Sequence, residues 1–194
     1  EDEDEDADED DAACPSSLVC VNERCEDPDL VPSLSLTGPE DEEVIERSQV
    51  IEGGMPMGEM PGMIDIDVRI RGSLQLVSAS AGADPTFGEG HVRISIDGGE
   101  PVTIEEGSIN TPQLVTIPVL GVAGAHRIVA QAFRNDGEPY DNPEAMATRL
   151  FWLKGDLIDR PMVAIKSPWP GTVFSADDQT IDVEMKGALC HFLD

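Results

Sequence analysis

The stretch Met63-Ile-Asp-Ile-Asp-Val-Arg-Ile-Arg71 decides the fold, because apolar and charged residues alternate along it without a fault. Ile64, Ile66, Val68 and Ile70 fall on one face, and Asp65, Asp67, Arg69 and Arg71 on the other. Successive side chains of a strand point to opposite faces, so a period of two marks a half-buried strand. Burying four such apolar side chains is worth roughly 6–12 kcal/mol gross. Ordering the backbone of the same segment costs about as much. The segment therefore needs a sheet around it.

Working outward, the neighbouring stretches supply one. Leu74–Ser78 follows Gly72, and His91–Asp97 turns Val92, Ile94 and Ile96 inward. Asp97-Gly98-Gly99 makes a hairpin turn into Pro101–Ile104. Leu114–Val119 is the next short strand, and Gly124–Arg134 is a second alternating run that ends in Asn135-Asp136-Gly137. Thr148–Lys154, bearing Phe151 and Trp152, closes the series. Short strands with turn residues every ~8–12 positions predict an all-β antiparallel sandwich. Glu40–Val50 is the one stretch expected to hold a helical turn or two. Gly53–Met63 is rich in Gly, Pro and Met and reads as an inserted loop. Methionines are soft ligands of the kind that copper takes, but their irregular spacing here favours the loop.

The chain of 194 residues has room for one well-buried domain and something smaller. No apolar run approaches the ~20 residues of a membrane span, and with neither signal peptide nor initiator Met the chain reads as processed or excised. The net charge of −28 excludes a phosphate-backbone binder, which needs clustered Lys and Arg. Residues 1–13 form an acidic run that cannot collapse on itself and is expected to be disordered. The remainder is acidic too, which fits either a high-salt setting or the compositional habit of the source.

Cys14, Cys20 and Cys25 crowd into residues 14–30 without the C-x2-C pairs of a zinc site. Disulfides in an oxidising compartment are the better reading. Three is an odd number, so either Cys190 is the distant partner or the partner lies outside this chain.

An internal repeat sets the organisation. Ile66–Val77 matches Ile181–Phe192 with five of twelve positions identical, and Pro32–Pro39 matches Pro161–Pro168. The two offsets are 115 and 129, and the difference coincides with the Met-rich loop of the first copy. A repeat of this length suits tandem sandwich domains, not a solenoid. The expected organisation is an acidic tail over 1–13, a cysteine-rich segment over 14–30 and a sandwich over 31–154. A linker over 155–160 then leads to a truncated second copy over 161–194. The rival reading has the last strands completing the sheets of the first domain.

Gly124-x-His126-x-Ile128-x-Ala130-x-Ala132, followed by Asp136-Gly137, resembles the penultimate strand of bacterial immunoglobulin-like modules of exported and surface proteins. The Pro-x-x-x-x-x-x-Pro segments are similar to the first strand of such modules. The acidic spacer and spaced cysteines look like the front of a bacterial lipoprotein, which implies a lipid anchor upstream of residue 1, although no lipid-bearing Cys is visible. The resemblance implies an extracellular, cell-surface or periplasmic location and roles in adhesion, spacing or binding. A protein or a surface polysaccharide is the implied partner class.

Catalytic constellations are not found. His91 and His126 each open a strand, His191 lies near the end, and no G-x-S-x-G elbow accompanies them. No cofactor is expected. The best metal candidate is calcium on turn oxygens: Asp97, Glu100, Asp136, Asp141 and Asn142, with Asp156 and Asp159 in the linker. The expected function is a non-enzymatic exported module. The alternatives are an accessory domain of a secreted hydrolase and a calcium-binding module.

Overall fold

The computed structural model describes residues 14–46, 62–80, 84–154, 162–167 and 182–186. The acidic run, most of the Met-rich loop, the linker and Cys190 lie outside them. Strands β3 (Leu34–Gly38), β5 (Met63–Gly72) and β9 (Gln113–Leu120) form one antiparallel sheet in the order β3-β5-β9. The second sheet runs β4 (Glu43–Glu46), β11 (Met146–Lys154), β10 (Gly124–Arg134), β7 (Glu89–Ile96). Two short strands, β6 (Gln75–Leu76) and β8 (Val102–Ile104), pair with successive halves of the free edge of β7. With β4 and β6 set aside as edge additions, β3, β5 and β9 are the first, second and fifth strands and face β7, β10 and β11, the third, sixth and seventh, which is the immunoglobulin-like arrangement.

The inward faces are those that alternation predicts. Ile64, Ile66, Val68 and Ile70 of β5 are buried against Val92, Ile94 and Ile96 of β7 and Ile128, Ala130 and Ala132 of β10. Phe151 and Leu153 of β11 complete that layer, while Asp65, Asp67, Arg69 and Arg71 stay exposed. The small Ala130 and Ala132, both fully buried, leave room for the bulky isoleucines of the facing sheet.

Two expectations are corrected. Glu43–Glu46, within the stretch expected to turn helically, is strand β4. It runs parallel to β11, with Phe151 opposite Glu43 and Leu153 opposite Ile45. Pairing with a distant strand outweighs a local helical preference of a few tenths of a kcal/mol per residue. Leu74–Ser78 shrinks to the two residues of β6, parallel to β7, so the sandwich carries two parallel edge pairings among its antiparallel ones.

Tyr140, in the connection from β10 to β11, is buried and staples it to the start of β7. Its hydroxyl donates to the Glu89 carbonyl at 2.9 Å and accepts from the Gly88 N–H at 3.0 Å. Burial pushes the phenol up to about 12, outweighing the Gly88 N–H that favours the anion, so it remains a donor. Tyr140→Phe strands the Gly88 N–H and is expected to cost about 1–3 kcal/mol, read from the urea midpoint.

Ahead of the sandwich, β1 (Val19–Val21) and β2 (Arg24–Glu26) form a hairpin, with Val21 buried in the core. Behind it, β12 (Met162–Ser167) and β13 (Asp182–Lys186) form another, hydrogen-bonded to each other as a separate two-stranded sheet.

Candidate functional site

The polar residues singled out in the sequence divide between opposite ends of the sandwich. Strands β7 and β10 run antiparallel, with Ile96 opposite Ile128 and Gly90 opposite Arg134. Asp97, Glu100 and His126 therefore sit at one end, and His91, Asp136, Asp141 and Asn142 at the other.

At the first end, Asp97 leaves β7 with a positive φ of 53° and enters the Gly98-Gly99 turn. That conformation is tolerated by Asp because its short side chain bonds locally. Its carboxylate accepts from the Arg127 N–H at 2.8 Å and lies 2.6 Å from His126 Nδ1. His126 Nε2 is 2.8 Å from the Val122 carbonyl. Both ring nitrogens thus face acceptors, which is the bonding pattern of an imidazolium with two N–H donors. Burial opposes the charge on His126, but the bonds to Asp97 and Val122 and the attraction of the carboxylate outweigh it and raise its pKa. Burial likewise works against the Asp97 anion, and His126 and the Arg127 N–H overcome it, holding the carboxyl below its usual range. The ring also stacks on Phe151, with centroids 5.3 Å apart. With both nitrogens committed, His126 fastens the β7–β8 turn to β10 and does not offer a base to a substrate.

This pair borders a cleft of about 790 Å3 between the two sheets, walled by Met63, Pro101, Val102, Ile117, Val119 and Leu120. Met63, Leu120 and the nearby Val122 are exposed. Glu100 lines the same cleft and faces solvent.

His91, at the other end, is fully buried on the outer face of the second sheet, and neither ring nitrogen has a hydrogen-bond partner among the described residues. It stacks on Phe133 at 5.4 Å, and the Arg93 guanidinium covers the same Phe133 ring at 4.2 Å. Burial first, and the Arg93 charge second, lower its pKa, with Glu105 opposing. The ring is therefore neutral near neutrality.

Of the remaining calcium candidates, Asp136 and Asp141 have their carboxylates engaged, and Asp156 and Asp159 lie outside the described residues. Asp136 holds the Arg134 guanidinium at 2.9 Å and accepts from the Glu138 N–H. Asp141 Oδ1 accepts from the Asn22 N–H at 2.7 Å, and Asn142 donates its side-chain N–H to the Pro32 carbonyl at 2.9 Å, while its Oδ1 is buried without a hydrogen-bond partner among the described residues. Among the described residues, no three His, Cys, Asp or Glu side chains are placed to share a metal ion. Of the cysteines among the described residues, Cys14 and Cys25 are bonded, with Cα atoms 5.4 Å apart, and Cys20 is exposed and unbonded. The Asp97–His126 pairing was missed in the sequence, although both residues were singled out. The signal was Asp97-Gly98-Gly99 as a turn with a left-handed first residue, needing an acceptor for the strand that starts opposite.

No family model and no curated protein matches the chain. Among solved structures it is similar to the crystal structure of the CARDB domain of the PF1109 protein in complex with di-metal ions from Pyrococcus furiosus. That likeness has a TM-score of 0.35 and 13% identity, over 63% of this chain and 91% of the other. Among the described residues, no helix is long and apolar enough to cross a membrane.

Proposed function

We propose that the chain is a non-catalytic immunoglobulin-like module of an exported, multi-module protein, serving as a spacer or partner-binding unit, and that residues 161–194 open a second module of the same kind. The observation that carries the reading is the β12–β13 hairpin. It pairs antiparallel as β3 and β5 do, and its first strand is irregular between Ile165 and Ser167, the counterparts of Leu36 and Gly38 where β3 is irregular. Leu36 faces Ile70, whereas Ile165 faces Val183, the counterpart of Val68, so the register differs by two residues. An even slip keeps every side chain on its own face.

Those faces are occupied differently. Leu34 and Leu36 are buried in the first core, but their counterparts Val163 and Ile165 are 59% and 52% exposed, and Val183 beside them is 48% exposed. The hairpin meets the first sandwich with its polar side: Lys166 pairs with Glu42 and approaches Asp41 at 3.9 Å, and the Ile165 carbonyl accepts from Arg127 at 2.8 Å. A core-type face turned outward supports a second sandwich whose facing sheet comes from elsewhere. The Cys14–Cys25 disulfide supports an oxidising, exported setting.

Amide hydrogen exchange on the whole chain tests the reading. An isolated two-stranded hairpin is at best marginally stable, so β12 and β13 are expected to exchange orders of magnitude faster than β5 and β10. Equal protection would place the hairpin in the first cooperative unit and end the tandem reading. Lengthening the chain along its reading frame should then protect Val163, Ile165 and Val183. A catalytic motif there in place of a sandwich pattern makes the module an accessory domain of a hydrolase. Lys166→Glu, which sets like charges together, is expected to speed exchange in β12 by about 1.5- to 5-fold, the size of a partly exposed ion pair. The sandwich's melting temperature should not move.

A further inference from the structure

The β1–β2 hairpin gathers three cysteines. Cys14 is bonded to Cys25, and Cys20 lies directly across from Cys25 in the antiparallel register. Residues opposite one another in such a pair share a face, with Cβ atoms ~4.5–5.5 Å apart and Cα atoms at a similar spacing. A disulfide accepts Cα separations of about 4.4–6.8 Å and Cβ separations of about 3.5–4.5 Å, which a cross-strand pair meets at the near end of its range. Cys25 therefore has two cysteines within bonding reach, of which one is bonded and the other, Cys20, is free and exposed to solvent.

We propose that this hairpin is a thiol–disulfide exchange site, in which Cys14 and Cys20 compete for Cys25. The Cys20 thiolate attacks Cys25 Sγ, the Cys20–Cys25 bond forms, the Cys14–Cys25 bond breaks, and Cys14 leaves as a thiolate that takes up the proton Cys20 gave away. One disulfide is lost and one gained, so no oxidant is consumed. The hairpin does not have to open for this. It is held to the sandwich by the buried Val21 and by Asn22, whose backbone donates to Asp141 at 2.7 Å and whose side chain donates to the Pro139 carbonyl at 3.0 Å. These anchors are independent of which disulfide is present. The free thiol is then either Cys20, on the hairpin, or Cys14, where the acidic run joins the fold. Either thiolate takes a small-molecule or protein disulfide RSSR to a mixed disulfide, releasing RS−, and Cys14 offers the partner a site clear of the sheet.

The test is disulfide mapping on the full chain. The oxidised protein is held at mildly alkaline pH, alkylated with iodoacetamide, digested and read by mass spectrometry. Peptides linked through Cys20–Cys25 are expected beside those linked through Cys14–Cys25, with the alkyl label divided between Cys14 and Cys20. Cys20→Ser should abolish labelling of Cys14. Cys14→Ser should leave a Cys20–Cys25 disulfide in a protein with an unchanged circular dichroism spectrum. Incubation with oxidised glutathione should place a glutathione adduct on Cys14 in the wild type and none on it in Cys20→Ser. The proposal is overturned by label confined to Cys20 with only Cys14–Cys25 peptides, by two free thiols in the Cys14→Ser hairpin, or by a Cys20–Cys190 linkage.

Discussion

Gly90→Ala is expected to destabilise the protein by ~3 kcal/mol or more, at the upper end of what overpacking does in a core. A Cβ built on Gly90 meets the Phe133 carbonyl oxygen at 1.8 Å and its carbon at 2.9 Å. Both atoms are backbone, in the strand hydrogen-bonded to β7, with Gly90 opposite Arg134 and His91 opposite Phe133. No rotamer relieves the clash, so β7 and β10 must separate where Gly90 also supports β6 through the Val77 N–H, 2.6 Å from its carbonyl. Urea unfolding of the variant gives the loss directly as a fall in midpoint at unchanged slope. Gly98→Ala is the control. That residue has a φ of +71° with nothing near its Cβ, so it carries only the conformational penalty of about 1–2 kcal/mol. A Gly90→Ala protein as stable as this control would show that the sheet yields there at no cost beyond a conformational one.

The second large effect is a dependence on pH written by two histidines of opposite sense. His126 has its pKa raised in the fold, so the stability it contributes is fully present below its unfolded value near 6.5 and is lost as pH rises through the folded value above it. His91 has its pKa lowered, so the fold resists its protonation. Stability linked to His91 is fully present above about 6.5 and falls as pH drops toward its folded value. The melting temperature is therefore expected to peak near pH 6.5 and to decline on both sides. Asp97, held below the usual carboxyl range, adds a further decline below about pH 4. His126→Gln should flatten the alkaline limb and weaken the decline below about pH 4 that Asp97 owes to it, whereas His91→Phe should flatten the limb just below about pH 6.5, while relieving two unpartnered ring nitrogens. Removing the acid outright, in Asp97→Ala, leaves His126 buried against a missing partner and the Arg127 N–H without its acceptor. Stripping one partner from a fully buried pair costs about 3–5 kcal/mol. The Asp97 side chain is 43% exposed, so solvent screening reduces the expectation to about 2–3 kcal/mol at pH 6. The loss should shrink as pH rises through the raised pKa of His126, where the wild type gives up the same charge. A pH-independent loss would mean that Asp97 acts on the turn alone.

The strands that carry the core were legible because each bears its own record of burial. In β5 the alternation of isoleucine with charge names both faces, and Val92, Ile94 and Ile96 do the same for β7. Strand β4 bears no such record: Glu43-Val-Ile-Glu46 acquires its conformation from β11, more than a hundred residues away. The candidate site was readable as a set of residues but not as pairs. Nothing local tells that Asp97 meets His126 and not Asp136, because that follows from the register between β7 and β10. The cysteines were equally ambiguous in sequence, since three spaced residues allow any pairing, and the hairpin register alone puts Cys20 opposite Cys25.

Strand β9 forms an outer edge of its sheet, and an unguarded edge recruits neighbours into fibrous aggregates. The Gly121 N–H bonds inward to the Gly62 carbonyl. By the two-residue period of the ladder, Leu114, Thr116, Pro118 and Leu120 therefore direct their backbone groups outward. Pro118 has no N–H to give, and the Leu120 carbonyl is already taken by the Val122 N–H at 2.7 Å. A strand drifting alongside finds only the short run between Pro112 and Pro118 to grip. Molecules crowded side by side at high local concentration can thus touch and part without knitting into a continuous sheet.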